Sequence, residues 1–392
     1  MIATIEPLLS YLKPLEEAVR ELANTWRPND PRYQADVYRQ ILMQFSYGYF
    51  AFFHADPAHP DWAPLWNPVY TLQPNPDDIY LYSPISSDYR YRISGKRGTT
   101  KMLTIDTQLS NAGLPWDNDT TGTYYHDIDD GDLKIGPDGE FELLLSVERP
   151  AGHHGNWLKI EPGARVLMTR YRSYDWEHEV DPVMSIECLD PVPLKQRLSP
   201  GEILERLDHM AQMPVRALRL FYGMQNAIKQ RVGVNVFEPV RYGGALSRQV
   251  YLPAVFEFDE DEALILETDL PPTRRYWNFQ LNDPHFNAVE YVYRLSSTNG
   301  HFAKVSSDGR FRAVISLTDP GVPNWLDPAG FTEGTIYGRW YDCDTCPTPT
   351  LRRVKFSQIR EHLPGDTPTV TAAARAAELS RRVRACQRRR RW

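Results

Sequence analysis

Between Tyr276 and Asn282 the chain alternates without a break: Tyr276, Asn278, Gln280 and Asn282 take the even positions, and Trp277, Phe279 and Leu281 the odd ones. A period of two belongs to an extended strand, whose successive side chains leave on opposite faces. The apolar face must be covered by a core. Three amides and a phenol on the other face are more than solvation of a surface requires. They suit a polar pocket inside a sandwich or barrel.

A second constraint is the segment 319–330, Asp-Pro-Gly-Val-Pro-Asn-Trp-Leu-Asp-Pro-Ala-Gly, set between strand-like residues 311–317 and 335–341. Proline fixes φ, glycine admits positive φ, and Asn and Asp bond nearby backbone, so the loop is predicted to hold one shape. Fixed loops on rigid strands often carry function. Asp319 and Asp327 are candidate acid/base groups, with Asn324 and Trp325 as candidate ligand contacts. Arg339, in the next strand, is the candidate anion-binding group. With Tyr276, Asn278 and Asn282 these residues form the predicted pocket, the loop capping one end of the polar-faced strand. The alternative is a buried network in which Arg339 pairs with Asp319 or Asp327. In the first half, Asn75-Pro-Asp-Asp-Ile-Tyr80 is a turn entering a strand. Asp77, Asp78 and Tyr80 there are either further site residues or turn chemistry.

The 392 residues are 42% hydrophobic and 24% charged, an ordinary globular composition and enough for two domains. Thirty-two prolines and 12% aromatics favour short strands and turns over long helices. A net charge of −7 gives no general electrostatic reason to bind nucleic acid or an anionic membrane. The exception is the basic end, Arg388, Arg389, Arg390 and Arg391, which reads as a solvated helix tail and is the only hint of an acidic partner. The first residues lack the basic-then-apolar pattern of a signal peptide, and no run approaches the ~18 apolar residues of a membrane span. Four cysteines in such a chain fit a reducing, cytoplasmic setting. Cys343 and Cys346 have the spacing of half a zinc site with no second half, so exposed free thiols are expected. His126, His153, His154, His178, His285 and His301 show no metal-ligand spacing. The acidic run after His126 reads as a solvated turn. A Gly-x-Ser-x-Gly elbow, a Walker loop and a dinucleotide fingerprint are all missing, so no nucleotide cofactor is expected.

Apolar periodicity predicts helices over 4–24, 34–53, 203–222 and 370–384. A capping box at Ser199 starts the third, and Pro214 is expected to break it. Strands are expected at 90–94, 102–106, 141–147, 164–170 and 183–187, then at 249–256, 263–268, 276–281, 290–295, 302–305, 311–317 and 335–341. The order divides the chain into two α+β units, 1–195 and 196–392. Closely spaced strands in the second favour a sandwich or jelly roll.

The segments DEALILET, RYWNFQLND and GRFRAVISLTDPGVPNWLDPAGFTEGTIYGRW resemble the domain of unknown function 1214 over roughly 240–360. The first half, through NPDDIYLYSPIS and GNWLKIEPGARVLMTRYRSYDWE, is similar to the region preceding that domain in longer members, and more distantly to domain 1254. The resemblance implies architecture only: β-sandwich or jelly-roll units decorated with helices, with no catalytic residue to carry over. The fold expected is therefore α+β and β-rich, with two such units and N-terminal, central and C-terminal helices. The function expected is an enzyme of hydrolase or lyase type acting on a small organic molecule by acid/base chemistry, without a nucleotide cofactor. A non-catalytic small-molecule or carbohydrate-binding module is one alternative. A structural jelly-roll protein that assembles into a homo-oligomer is another.

Overall fold

The computed structural model describes residues 6, 9–11, 13, 15–16, 19–20, 30–110, 124–242 and 246–389. Most of the expected 4–24 helix lies outside these residues, as do Arg390 and Arg391 of the basic end.

The fold is mixed α+β and β-rich, built on four sheets. Helix α1 spans Pro31–Phe53 and is followed by strands β1 Ala63–Pro64, β2 Asp78–Pro84, β3 Tyr91–Lys96, β4 Met102–Gln108, β5 Tyr124–Asp129, β6 Glu140–Ser146, β7 Asn156–Lys159, β8 Val166–Arg172 and β9 Val183–Cys188. Helix α2, Pro200–Val232, comes next. After it come β10 Gln249–Glu257, β11 Glu262–Thr268, β12 Arg274–Asn282, β13 Ser297–Asn299, β14 Phe311–Ile315, β15 Trp325–Leu326, β16 Glu333–Cys343 and β17 Thr350–Lys355. A 3-10 turn at Phe356–His362 leads to helix α3, Ala372–Arg388.

Strands of the first half form a sheet β1-β2-β8-β4-β5 and a sheet β7-β6-β3-β9. Those of the second form β10-β16-β12-β13 and β15-β14-β11-β17. Each pair makes a sandwich. Ile79, Tyr91, Ile93, Leu103, Ile105, Leu143 and Leu167 fill the first core. Leu252, Phe256, Leu264, Trp277, Phe279, Phe311 and Trp340 fill the second. Trp277 and Phe279 are the apolar face of β12, turned inward as the alternation requires. Gly338 faces Phe279 across the β12–β16 pair, where an added Cβ would lie 2.5 Å from that ring.

The sheets β1-β2-β8-β4-β5 and β10-β16-β12-β13 face each other as the inner sheets of the two sandwiches. At one end of this layer α1 and α2 cover Tyr82, Met168 and Tyr337 with Tyr47, Phe52, Met213, Leu220 and Phe221. At the other end the facing residues are polar.

Several expectations are corrected. Pro214 does not end α2, which runs unbroken for 33 residues. Packing of Ala211, Met213, Ala217, Leu220 and Phe221 offsets the ~3 kcal/mol that an interior proline costs. The Ser199 capping box is present: Ser199 Oγ accepts from Glu202 N, and Glu202 Oε2 accepts from Ser199 N at 2.7 Å. Residues 290–295 are irregular because Glu290 turns its carboxylate onto the N–H groups of Val292 and Tyr293. Residues 302–305 form a turn with one bridge, Val305 to Phe311. The residues after His126 are not a turn from their start, since Tyr124–Asp129 is the edge strand β5. Cys343 and Cys346 are half-buried against the second core rather than exposed, and burial pushes the Cys343 thiol up to about 11.

The basic end is not a plain solvated helix. Arg375, Arg382 and Arg389 recur every seven residues and are all buried. Arg375 pairs with Asp319 at 2.9 Å. Arg382 donates to Ser297 O at 2.8 Å, lying over the Trp176 and Phe302 rings. Arg389 donates to the carbonyls of Pro76 and Asp77 at 3.0 and 2.7 Å. Arg381, Arg384 and Arg388 remain exposed.

Candidate functional site

The polar end of the inner layer is assembled from six strands, three on each wall. On one wall Asp78, Tyr80 and Tyr82 of β2 alternate beside Arg172, Arg170 and Met168 of β8 and Met102, Thr104 and Asp106 of β4. On the facing wall Tyr276, Asn278, Gln280 and Asn282 of β12 lie beside Tyr341, Arg339, Tyr337 and Thr335 of β16, with Tyr251 of β10 next to Arg339. Alternation puts all of these on the same two faces.

Two of the three arginines in the layer have their own carboxylates. Arg172, 1% exposed, donates Nη2 to Asp78 Oδ2 at 2.7 Å and Nη1 to Gln249 Oε1 at 3.0 Å, with its guanidinium 4.2 Å above the Tyr276 ring. Arg170 pairs with Asp106 at 2.7 Å and also bonds Tyr124. Burial pushes the Asp106 carboxyl up to about 6, against the pull of Arg170 and of the Gln108 amide. Asp77 accepts from Tyr276 Oη at 2.5 Å, Asn299 Nδ2 at 2.7 Å and Trp176 Nε1 at 2.8 Å. Burial raises its pKa, while those bonds and the charge of Arg389 act the other way.

Arg339 differs. It is 4% exposed, and its Nη1 donates to Gln280 Oε1 at 2.7 Å and Asn278 Oδ1 at 3.4 Å. Among the described residues no carboxylate pairs with it, and both of these hydrogen bonds go to neutral amide oxygens. The Tyr337 ring lies 5.9 Å from its guanidinium. Thr104 Oγ1 and Gln108 Oε1 on the opposite wall are buried without a partner.

The segment bordering Arg339 is strained. Tyr70, Leu72 and Gln73 have φ of 61°, 62° and 48°. Such conformations cost non-glycine residues roughly 1–3 kcal/mol each and cluster at functional sites. The strain places the Gln73 side chain 3.4 Å from Asn282 and the Pro74 carbonyl 3.2 Å from Gln280 Nε2. Asn75 then links Tyr276 at 2.9 Å and Asn278 at 2.9 Å.

The predicted site residues therefore divide. Tyr276, Asn278, Asn282, Asp78, Tyr80 and Arg339 come together in the inner layer. Asp319, Asn324, Trp325 and Asp327 belong to the outer sheet of the second sandwich, where β15 runs parallel to β14. Asp319 is held by Arg375, and Asp327 pairs with Arg294 at 2.8 Å. Asn324, at φ 55°, bonds the backbone of Lys304 and Arg312, and Trp325 donates to Ser316 O at 3.0 Å. Thus neither Asp319 nor Asp327 is the partner of Arg339. Arg170, Arg172 and Asp106 line the same layer and were not singled out from the sequence. Their signal was Met168-Thr-Arg170-Tyr-Arg172, where charges fall at every second position of a strand.

Among the described residues no group of three or more His, Cys, Asp or Glu could hold a metal ion. No described helix is long and apolar enough to cross a membrane.

No curated protein matches the chain. A crystal structure of an uncharacterized protein from Burkholderia cenocepacia is similar, with 26% identity, a TM-score of 0.83, and coverage of 90% of this chain and 98% of that one. A protein from Vibrio parahaemolyticus is 12% identical, covering 81% of this chain and 99% of that one, with a TM-score of 0.44. The model of a protein family of unknown function, DUF1214, matches residues 82–176 and 258–345. The first half thus resembles that same family, and the likeness to domain 1254 expected there is not shown. The matches on both sides of α2 support the domain of unknown function 1214 as the family of this chain.

Proposed function

We propose that the inner layer binds a small organic acid, with the carboxylate on Arg339 and the body of the molecule among the Tyr80, Tyr251 and Tyr337 rings. The observation that carries this is the surplus cation. A buried guanidinium without a counter-charge is costly to the fold, so a site that retains one is prepared for an anion. Thr104 Oγ1 and Gln108 Oε1 supply further acceptors for a hydroxylated ligand. Tyr276, Asn278, Asn282 and Asp78 act in this reading as the frame that fixes Arg339 and Arg172. Asp319, Asn324, Trp325 and Asp327 act as the anchor of α3.

Acid/base turnover of hydrolase or lyase type is the further step this reading admits, and Asp106 is what favours it. A carboxyl at about 6 beside Arg170 can give or take a proton near neutral pH. That role would fall to Asp106 rather than to Asp319 or Asp327.

Thermal-shift titration with benzoate, 4-hydroxybenzoate and their methyl esters tests the binding. The acids should raise Tm at millimolar concentration, the esters should not, and Arg339→Met should abolish the response. Equal shifts from esters and acids, or a shift that survives in Arg339→Met, would overturn the proposal.

A further inference from the structure

The face of α3 turned to the second sandwich borders a cleft of about 450 Å³, within the usual size of a small-molecule site. Ala374, Arg375, Glu378, Arg381, Arg382 and Ala385, on successive turns of one helix face, form one wall. Phe302 and Lys304 of the turn between β13 and β14, with Pro323 and Asn324 of the 319–330 segment, form the other. The walls are fastened to each other. Arg375 ties α3 to Asp319 at 2.9 Å and to Val322 O at 2.6 Å, and Val370 N donates to Gly321 O at 2.9 Å. Asn324, at φ 55°, grips the Lys304 backbone from both sides: its Oδ1 accepts from Lys304 N at 2.8 Å and its Nδ2 donates to Lys304 O at 2.7 Å. Left-handed backbone is easier for Asn than for most residues, and here it fixes the root of a lysine at the rim.

Charge in the cleft is uneven. Arg375 is satisfied by Asp319 and by Glu378, each at 2.9 Å. Arg382 lies buried in the floor, bonded to Ser297 and covered by the Trp176 and Phe302 rings, and among the described residues no carboxylate pairs with it. Lys304 and Arg381 are exposed and make no ion pair among the described residues. The His301 ring faces Asp175 at 3.7 Å, so Glu177 is the one carboxylate of the lining left to oppose Lys304, Arg381 and Arg382. A surplus of positive charge in a preformed cleft is suited to an anion.

We propose that this cleft is a second binding site, for a phosphate monoester with an apolar body. A tetrahedral phosphate presents three peripheral oxygens, so Lys304 and Arg381 can each take one from opposite walls while Arg382 supplies charge from the floor. A planar carboxylate has two oxygens and meets fewer of these groups. Apolar surface for the body comes from Phe302, Pro323 and Val370 of the same cleft. More comes from an adjoining cleft of about 160 Å³, which shares Lys304, Pro323, Asn324 and Pro368 and adds Val305 and Leu363. The site shares no residue with the Arg339 set.

Calorimetric titration of the full-length protein with phenyl phosphate, inorganic phosphate and phenol tests it. Phenyl phosphate should bind saturably and more tightly than inorganic phosphate, and phenol should not bind. Lys304→Gln/Arg381→Gln should weaken phenyl phosphate by about tenfold or more with Tm unchanged, because two charge-assisted bonds are lost at exposed positions. Ala374→Tyr, which keeps every charge but fills the cleft, should weaken it as well. Arg339→Met should leave it unchanged, which separates this site from the inner layer. The inference is overturned if phenyl phosphate gives no saturable heat, or if its affinity survives in the double variant or in Ala374→Tyr. It is also overturned if Arg339→Met abolishes binding, or if phenol or inorganic phosphate binds as tightly as the ester.

Discussion

Replacing Arg172 by Met tests the energetics of the inner layer. Arg172 and Asp78 are both essentially inaccessible, bonded at 2.7 Å, and Arg172 also bonds Gln249 and stacks on Tyr276. Methionine keeps most of the volume but removes the charge and the fork of donors. Asp78 would then be left with the Tyr80 hydroxyl, 3.2 Å away, as its hydrogen-bond donor. Breaking a buried pair from one side costs about 3–5 kcal/mol, because the remaining charge is stranded. That is a large part of the ~5–15 kcal/mol that holds a typical domain folded. The second half of the test is Asp78→Asn on the Arg172→Met background. It removes the stranded charge and should recover more than ~2 kcal/mol, since the loss lies in the unpaired carboxylate rather than in the missing contact. Urea unfolding followed by tryptophan fluorescence reads both. If Arg172→Met costs under ~1 kcal/mol, or if the two substitutions simply add, the pair is not desolvated as described and the reasoning fails.

Other outcomes follow from the same geometry. Asp106 has its folded pKa raised to about 6, above the ~4 of an unfolded carboxyl, so its contribution is full below pH ~4 and lost as pH rises toward 6. Chemical denaturation between pH 4 and 7 should show that decline in the wild type and a flatter profile in Asp106→Asn. Asp129 behaves oppositely. Burial alone would raise it, but Tyr341 and Arg275 bring it down to about 2, so its contribution is lost as pH falls from ~4 toward 2, and Asp129→Asn should remove that acid sensitivity. Gly300→Ala would bring a Cβ to 1.7 Å from the Tyr174 hydroxyl and 2.5 Å from Trp277 Nε1, so Tm should fall by the equivalent of ~1–3 kcal/mol. On α3, Arg382→Ala should cost ~2 kcal/mol through its lost bonds to Ser297 and its ring contacts, whereas exposed Arg381→Ala should stay within ~0.5 kcal/mol.

Much of the fold was legible because its signals are local. The alternation of β12 named both of its neighbours, a core behind and a polar layer in front. Ser199 and Glu202 marked the start of α2 by chemistry complete within four residues. What stayed hidden depends on partners far away in the chain. Asp319 looked like a site residue because its loop is rich in turn formers, but Arg375, 56 positions later, is what holds it. The spacing of Arg375, Arg382 and Arg389 was visible, yet arginines at seven-residue intervals read as solvated until Trp176, Ser297 and the Pro76 carbonyl are seen beneath them. Pro214 was misjudged because propensity is local and the packing that overrides it is not. Arg339 was legible as a strand residue close to the polar face of β12, but Asp319 and Asp327, expected beside it, pair elsewhere with Arg375 and Arg294.

The proposed binding requires Arg339 to be kept for a ligand rather than for the fold. The most direct measurement is the urea stability of Arg339→Met without ligand, paired with benzoate titration of the same variant. The prediction is that stability is unchanged or higher, because a desolvated unpaired charge has been removed, while the benzoate response of the wild type disappears. A loss of ~3 kcal/mol or more, comparable to that of Arg172→Met, would show that Arg339 holds the two inner walls together and would contradict the claim.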